Sequence, residues 1–316
     1  CRATAVSPDN LRTATDEELT AAHSAGLQAL GCRSDPAAGA SLLDVKMELA
    51  RRALRDCRLC PHDCGVNRLA GERGLCGVGE QTHVAAEMVH LGELPDLVPA
   101  YSVFLGGCTM RCLYCRKPDL LERPDEGEVL EPERFARNVA AGARDGARTL
   151  KLLGGTAEPH LHAILRALRA LNTALPVMWE STMFIAPQCL ELIRGCVDLF
   201  IANMRYGNDD CARELSGVAE YVRPAMAAVR EIGRWADVTL RHLVLPGHID
   251  CCTAPLAKML EDALPDVELV LLMQYVPFWR AWERPELSRR LTEHERRRAV
   301  AVVSERKRLW SVGDLA

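Results

Sequence analysis

Cys108, Cys112 and Cys115 follow the apolar run Tyr101–Leu105 through Gly106-Gly107, in the spacing C-x3-C-x2-C. Three thiols this close in one loop can face a single point. Thiolates select zinc or iron–sulfur centres over hard cations. Having three ligands rather than four matters: a four-iron cluster held by three cysteines keeps one iron free for a substrate or cofactor. Cysteines buried only for packing are not expected in so tight a spacing just after a strand.

A second set, Cys57, Cys60, Cys64 and Cys76, supplies four thiols, a complete tetrahedral complement. Two identities compete for it. A closed zinc site would pin the N-terminal segment to the rest of the chain. A second iron–sulfur cluster would add an electron relay or a store of sulfide. His62 lies in the same loop and is expected to make a loop hydrogen bond rather than replace a cysteine. Seven more cysteines complete the fourteen: Cys1, Cys32, Cys189, Cys196, Cys211, Cys251 and Cys252. Cys189, Cys196 and Cys211 fall in or beside helical stretches and read as core fillers. Cys251-Cys252 follows Arg241–Gly247 at the end of an apolar run. A thiol there could donate a hydrogen atom, be a radical target or give up its sulfur, so the pair is the candidate catalytic set.

These groups need a frame to hold them. Six short apolar runs read as strands: Tyr101–Leu105, Thr149–Leu153, Val177–Glu180, Val197–Asn203, Val238–Leu245 and Val267–Gln274. Helical stretches alternate with them, and Pro132, Pro159 and Pro187 sit where a first helical turn tolerates a missing N–H. The pattern predicts parallel βα units with right-handed crossovers. Six strands are too few for a closed eight-stranded barrel, so an open α/β barrel is expected, with its site at the C-terminal strand ends. Two helices are expected before it, near Pro8–Leu30 and Ser41–Asp56, with Ser41 and Asp44 capping the second. An Arg-rich helix over Leu291–Leu309 is expected after it, its stripe of Val300, Val303 and Leu309 docked on the body. The domain reading is a helical extension over 1–56, a Cys-rich segment over 57–96, the barrel over 97–280 and a terminal helix over 281–316.

Composition narrows the class. At 316 residues, 48% hydrophobic and 26% charged, the chain can bury a large core without disulfide staples. Its net charge of -4 does not suit a protein built mainly to hold nucleic acid or an anionic membrane. The apolar stretch around Val267–Val276 is too short to cross a bilayer, and the first thirty residues lack a signal pattern. A soluble cytoplasmic protein is the expectation. A reducing cytosol disfavours disulfides at this cysteine density. Because the sequence opens on Cys1 rather than Met, a short start is read as trimmed.

With these residues in place, the chain resembles the radical SAM superfamily, whose members carry the cysteine triplet after the first barrel strand. The resemblance implies a [4Fe-4S] cluster on Cys108, Cys112 and Cys115. S-adenosyl-L-methionine would chelate its free iron and be cleaved to a 5′-deoxyadenosyl radical. Tyr114 matches the aromatic position against the adenine. Gly154, Gly155 and Thr156 match the glycine-rich segment that holds the methionine amino group, where bare backbone can approach a ligand closely. The finer resemblance covers roughly residues 50–300 and is to the PflX-like branch, near pyruvate formate-lyase activating enzyme. It is carried by Cys57–Arg68, Gly71–Cys76, Tyr206–Asp209, Arg241–Gly247 and Gln274–Pro277.

Three positions depart from that pattern. An Asp-x-Lys after the fourth strand reads Asn203-Met204-Arg205. The usual Asn-Ser-Asn or Asp-Thr-Asn reads Glu180-Ser181-Thr182, and the usual Gln-Asn after the last cluster cysteine reads Arg116-Lys117. Asn203 lacks the charge of Asp, whereas Arg205 can still pair a carboxylate bidentately. The resemblance thus implies cofactor binding by Tyr114, Gly154, Gly155, Thr156, Glu180, Asn203, Arg205, Arg241 and His242, with a changed substrate face. Arg116 and Lys117 could hold a phosphate or carboxylate on the substrate, or be solvated loop cations. The leading expectation is a radical enzyme acting on a small, anionic molecule, such as a nucleotide or sugar phosphate, with sulfur insertion as a variant of it. Its reductant would be a flavodoxin or ferredoxin, with no nucleic acid or membrane partner. The alternatives are an activase that passes the radical to a glycine of a partner protein, and a non-catalytic iron–sulfur or zinc scaffold.

Overall fold

The structure, a computed structural model, describes residues 6–30, 40–92, 95–267, 269–303 and 309–312. Cys1 and Cys32 lie outside the described residues. Nine strands form one open sheet in the order β3-β1-β2-β4-β5-β6-β7-β8-β9. They are β1 (His83–His90), β2 (Ala100–Leu105), β3 (Glu128–Val129), β4 (Thr149–Gly154), β5 (Val177–Ser181), β6 (Leu199–Asn203), β7 (Asp237–Leu243), β8 (Leu269–Leu272) and β9 (Leu309–Val312). From β2 through β9 every neighbouring pair is parallel. β1 pairs antiparallel with β2, and β3 with β1.

The helices between the parallel strands are α4 (Pro132–Arg144), α5 (Leu161–Ala170), α6 (Pro187–Ile193), α7 (Asp209–Ser216), α8 (Val222–Ile232) and α9 (Ala254–Ala263), numbered after α1 (Asp16–Gln28), α2 (Leu42–Arg52) and the short α3 (Asp119–Glu122). α4 and α6 begin on Pro132 and Pro187. Pro159 lies instead in a 3-10 turn, Glu158–His160, just ahead of α5. β2 is buried at every residue, as a strand covered on both faces must be. Its neighbours carry the same continuous apolar runs, which is why six strands were readable from the sequence.

Two expectations at the ends change. The first helix is shorter than Pro8–Leu30, because Pro8–Asn10 is a separate 3-10 turn and α1 starts at a capping box of Thr15 with Glu18. The last helix, α10 (Glu293–Ala301), stops eight residues short of Leu309, and Leu309 opens β9 against β8. Val303 is buried while Val300 stays exposed, so the supposed stripe is not one helix face. Sheet edges offer unpaired N–H and C=O groups, and β9 satisfies the one that β8 would expose. The Ser41–Asp44 capping box on α2 is as expected.

The Cys57–Cys76 segment has little regular structure. A single bridge, Cys57 to Val66, and the short turn Arg68–Ala70 organise it. β1 follows directly and ties this region into the sheet beside β2. Among the described residues no helix is long and apolar enough to cross a membrane.

Candidate active site

Five parallel strands send their C-terminal ends to one cavity. Its wall includes Cys108, Cys112, Tyr114, Cys115, Arg116 and Lys117 from the loop after β2. Gly154 and Gly155 come from the end of β4, Thr182 from beyond β5, Arg205 from beyond β6 and Leu243 from β7. This is where a sheet of this type places a site, because the connecting loops there are free of the packing constraints on the strands.

Each cysteine sulfur of that loop receives one hydrogen bond. The Met110 N–H donates to Cys108 Sγ at 3.4 Å, the Lys117 N–H to Cys115 Sγ at 3.4 Å, and the Ser216 hydroxyl to Cys112 Sγ at 2.9 Å. Such donors favour the deprotonated sulfur that binds metal. Without a metal, burial pushes the Cys108 thiol up to about 12 and raises that of Cys115. The three sulfurs do not all lie within 4.8 Å of one another, a spread suited to a multi-iron cluster rather than a single ion.

The loop is held from two sides. Its Arg111 and Leu113 N–H groups donate to the Ser216 and Leu215 carbonyls at the C-terminal end of α7. On the other side Gly155 lies so close that an added Cβ would sit 1.7 Å from the Gly107 carbonyl oxygen. Gly154 has φ +141°, and its Cβ would meet the Leu105 backbone at 2.2 Å. These glycines are therefore required by backbone packing under the cysteine loop, a constraint the sequence did not show. The Thr156 hydroxyl accepts from the Thr109 N–H at 3.2 Å, which brings the third member of that segment to the same loop.

The other predicted cofactor residues divide into two groups. Tyr114 is buried and its hydroxyl is 2.7 Å from that of Tyr206, which in turn bonds Ser216. Glu180, Asn203 and Arg241 form one network below the cavity. Arg241 reaches Glu180 at 2.7 Å, Lys151 reaches it at 2.6 Å, and the Asn203 amide donates to it at 2.9 Å. Burial raises the Glu180 carboxyl, but Arg241 and Lys151 outweigh it and hold the group well below the usual carboxylate range. Arg205 has a buried Nε with no hydrogen-bond partner among the described residues. Burial opposes its charge, and the neighbouring Cys112 and tyrosines more than compensate, so it stays protonated. His242 lies apart. It points to the opposite face of β7 from Arg241. There one ring nitrogen meets the Met204 carbonyl at 2.8 Å and the other the Thr253 hydroxyl at 3.0 Å.

Lys117 Nζ lies 3.4 Å from the centre of the Phe104 ring, and Arg116 faces Phe278 at 5.8 Å. The four-cysteine segment abuts the same loop: the Cys108 N–H donates to the Cys76 carbonyl at 3.2 Å. His62 makes the expected loop hydrogen bond, to the Thr109 carbonyl at 2.6 Å. No three sulfurs of Cys57, Cys60, Cys64 and Cys76 all lie within 4.8 Å of one another. Arg68, fully buried, bonds the Gly79 and Pro159 carbonyls and sets a cation beside Cys57.

Lys151 and Ser216 were not singled out from the sequence, and Arg68 entered there only as the last residue of the segment Cys57–Arg68. Lys151 had a signal, a lone lysine in an otherwise apolar strand. Ser216 had none. Tyr206 was within reach, because it opens one of the segments that carried the resemblance.

The radical SAM superfamily model matches residues 102–260, half of the chain and the whole of the cavity wall. This chain belongs to the radical SAM superfamily. Members cleave S-adenosylmethionine at an iron–sulfur cluster. The uncharacterized protein MJ0674 of Methanocaldococcus jannaschii is 31% identical over 274 residues, spanning 84% of this chain and 79% of that one. GTP 3',8-cyclase of Desulforamulus reducens is 38% identical over 48 residues, 15% of each chain. Among solved structures, Streptococcus suis SuiB bound to S-adenosylmethionine aligns with TM-score 0.48 and 12% identity, covering 66% of this chain. The alignment takes in 48% of SuiB, so this chain spans about half of its length. A domain of pyruvate-formate lyase-activating enzyme from Bacteroides vulgatus aligns with TM-score 0.42 and 11% identity, over 52% of this chain and 99% of the domain.

The donor set fits the family's cluster. It offers three thiols of one loop, each already accepting a hydrogen bond, and a buried cation, Arg205, with a donor to spare.

Proposed function

We propose that this radical SAM protein is an enzyme that abstracts a hydrogen atom from a small anionic substrate. Cys108, Cys112 and Cys115 would hold a four-iron cluster, which with bound S-adenosylmethionine would supply reductive cleavage to a 5′-deoxyadenosyl radical. The chain's own residues position and exclude. Tyr114, fixed by Tyr206, offers a ring to the cofactor's base. Gly154, Gly155 and Thr156 offer backbone and a hydroxyl to its amino group. Arg205 is the cation for its carboxylate, and the Glu180–Asn203–Arg241 network sets the floor beneath. His242 acts at one remove, by fixing the backbone of Met204 beside Arg205.

The observation that carries the substrate class is the charge of the cavity wall. Its ionic side chains are Arg116, Lys117 and Arg205, and it contains no Asp or Glu. Arg116 and Lys117 follow the last cluster cysteine, and would turn from the Phe278 and Phe104 rings to take a phosphate or carboxylate. Neither Cys251 nor Cys252 is among the residues that line the cavity. Cys252, buried with its thiol 3.9 Å from the backbone carbonyl of the cavity residue Arg205, is the one retained for radical chemistry. Cys252→Ala then loses product while still forming 5′-deoxyadenosine. For the four-cysteine segment we take the second iron–sulfur cluster over zinc, because the segment abuts the first cluster's loop, where an electron relay is of use. The Cys76–Cys108 hydrogen bond would put it beside the first. Electrons would come from a flavodoxin- or ferredoxin-type donor.

The test is anaerobic reconstitution, an iron count, and 5′-deoxyadenosine formation measured against a panel of nucleotides, sugar phosphates and uncharged analogues. About eight irons per chain are expected. Stimulation by an anionic compound, lost in Arg116→Ala with Lys117→Ala, supports the reading. A glycyl-radical EPR doublet raised in a partner enzyme, with no small-molecule stimulation, overturns it in favour of the activase.

A further inference from the structure

α7 has a second function-bearing end. Its C-terminal residue Ser216 bonds the cluster cysteine Cys112. Its first turn carries Cys211, which meets two residues of the loop after β7, His248 and Cys251. Cys211 Sγ lies 3.4 Å from His248 Nδ1, Cys251 Sγ lies 3.4 Å from the same nitrogen, and the two sulfurs are 3.7 Å apart. Among the described residues this is the one group of three such side chains whose donor atoms all lie within 4.8 Å of one another. From this geometry we infer that Cys211, His248 and Cys251 bind a zinc ion, distinct from both cysteine sets described above.

The distances carry the argument. A tetrahedral zinc with Zn–S near 2.3 Å and Zn–N near 2.0–2.1 Å holds its donor atoms roughly 3.5–3.8 Å apart. The three observed separations match that. They do not match a disulfide, whose sulfurs would be about 2.05 Å apart. The surroundings are those of a ligand set. His248 presents Nδ1 to both sulfurs. Its buried Nε2 has no hydrogen-bond partner among the described residues, and the Glu286 carboxylate lies 3.6 Å from it, just outside the bond by which a carboxylate orients a ligating histidine. The Asn208 amide donates to Cys211 Sγ at 3.2 Å, and the same residue caps α7. Cys252 Sγ accepts the Gly207 N–H at 3.1 Å and also contacts the Cys211 thiol, but it is not one of the three whose donor atoms close on a single point. Two thiols and one imidazole leave the fourth position for water or an outside ligand, and Cys251 is exposed, so that position is reached from solvent. Soft sulfur ligands with an imidazole select zinc over magnesium or calcium.

The experiment counts zinc and iron per chain in the full-length protein grown with both metals and purified anaerobically. The parent is expected to hold about one zinc. Cys211→Ser with Cys251→Ser, and separately His248→Ala, lose it while keeping their iron, which also reports that they fold. Glu286→Gln keeps the ligands. Its zinc passes to a chromogenic chelator at about 10- to 100-fold lower chelator concentration than in the parent. Zinc held by Cys57, Cys60, Cys64 and Cys76 would survive the double substitution, so a variant with undiminished zinc overturns the inference. So does loss of iron instead of zinc, a zinc-free parent, or Glu286→Gln releasing zinc no more easily than the parent.

Discussion

The loop after β2 and the loop after β7 both gather thiols at strand ends, and α7 joins them. The helix has eight residues, about 12 Å of axis. In the first loop all three sulfurs come from one segment, keep apart, and each takes its own hydrogen bond. In the second, two sulfurs and a nitrogen come from two segments and crowd to 3.4–3.7 Å. Donor spacing sets the size of what is held: a cluster of several irons in one, a single ion in the other. Proximity in sequence produced the wider site and convergence in space the tighter one.

Four substitutions test that contrast. Cys112→Ala should have the largest effect. It removes one corner of the cluster site, and 5′-deoxyadenosine formation should fall by at least ~10⁶-fold, to the uncatalysed rate. Zinc content should be unchanged; zinc lost along with iron would mean the two sites are one unit.

Gly155→Ala comes next. Its Cβ has no room beside the Gly107 carbonyl, where backbone rather than a movable side chain blocks it. A destabilisation of about 3 kcal/mol in chemical denaturation is expected, with iron incorporation impaired and zinc uptake intact. Normal stability would show that the cysteine loop is not braced from this side.

His242 supports the second loop, because it bonds Thr253, next to the Cys251-Cys252 pair. Burial lowers its pKa from 6.5 to about 4, with the Met204 carbonyl opposing and Arg205 assisting. Its folded value lies below its unfolded one, so between pH 6.5 and 4 the unfolded chain takes up a proton the folded chain refuses. Stability therefore falls on acidification through that window, by about 2 kcal/mol between pH 6.5 and 5 from this residue. His242→Gln should flatten that part of the slope in denaturant midpoints measured across the window. An unchanged slope would place the acid sensitivity elsewhere, with His23, His160 and His162, which are lowered in the same way.

Ser216→Ala should be the mildest. It deletes the hydrogen bond to Cys112 Sγ and the one to Tyr206, and hydrogen bonds to cluster sulfur tune its potential. A shift of the cluster potential and a loss of about tenfold in S-adenosylmethionine cleavage are expected. Zinc affinity should not move, since Cys211 is at the far end of the helix. A change in zinc binding would show that the helix transmits between its ends.

Much of the frame could be read in the residues. Buried parallel strands announce themselves as unbroken apolar runs, and all six expected ones are present. β1, His83–His90, was missed because one of its faces is partly exposed and its pattern, with Glu87 and two histidines, reads as loop. β9 was absorbed into a helix because the Arg-rich stretch before it has helical composition. The Cys108–Cys115 loop was legible down to its residues. Cys211 was not: one cysteine in a short helix looks like packing, and nothing near it in sequence names His248.

Sequence alone determined what lies within a turn or two of chain: the C-x3-C-x2-C loop, the glycine pairs, the capping boxes, the strand runs. A chemical signature confined to one loop survives in linear spacing because covalent geometry keeps its members close. Tertiary structure alone decided which distant groups meet. Lys151, Glu180, Asn203 and Arg241 come from four strands, and parallel register brings them to one floor. Cys211, His248 and Cys251 stand 37 and 3 residues apart along the chain, yet the crossover from α7 through β7 closes them to hydrogen-bond range. The pairing of strands fixed those contacts, and strand pairing depends on the whole core rather than on any local run of residues.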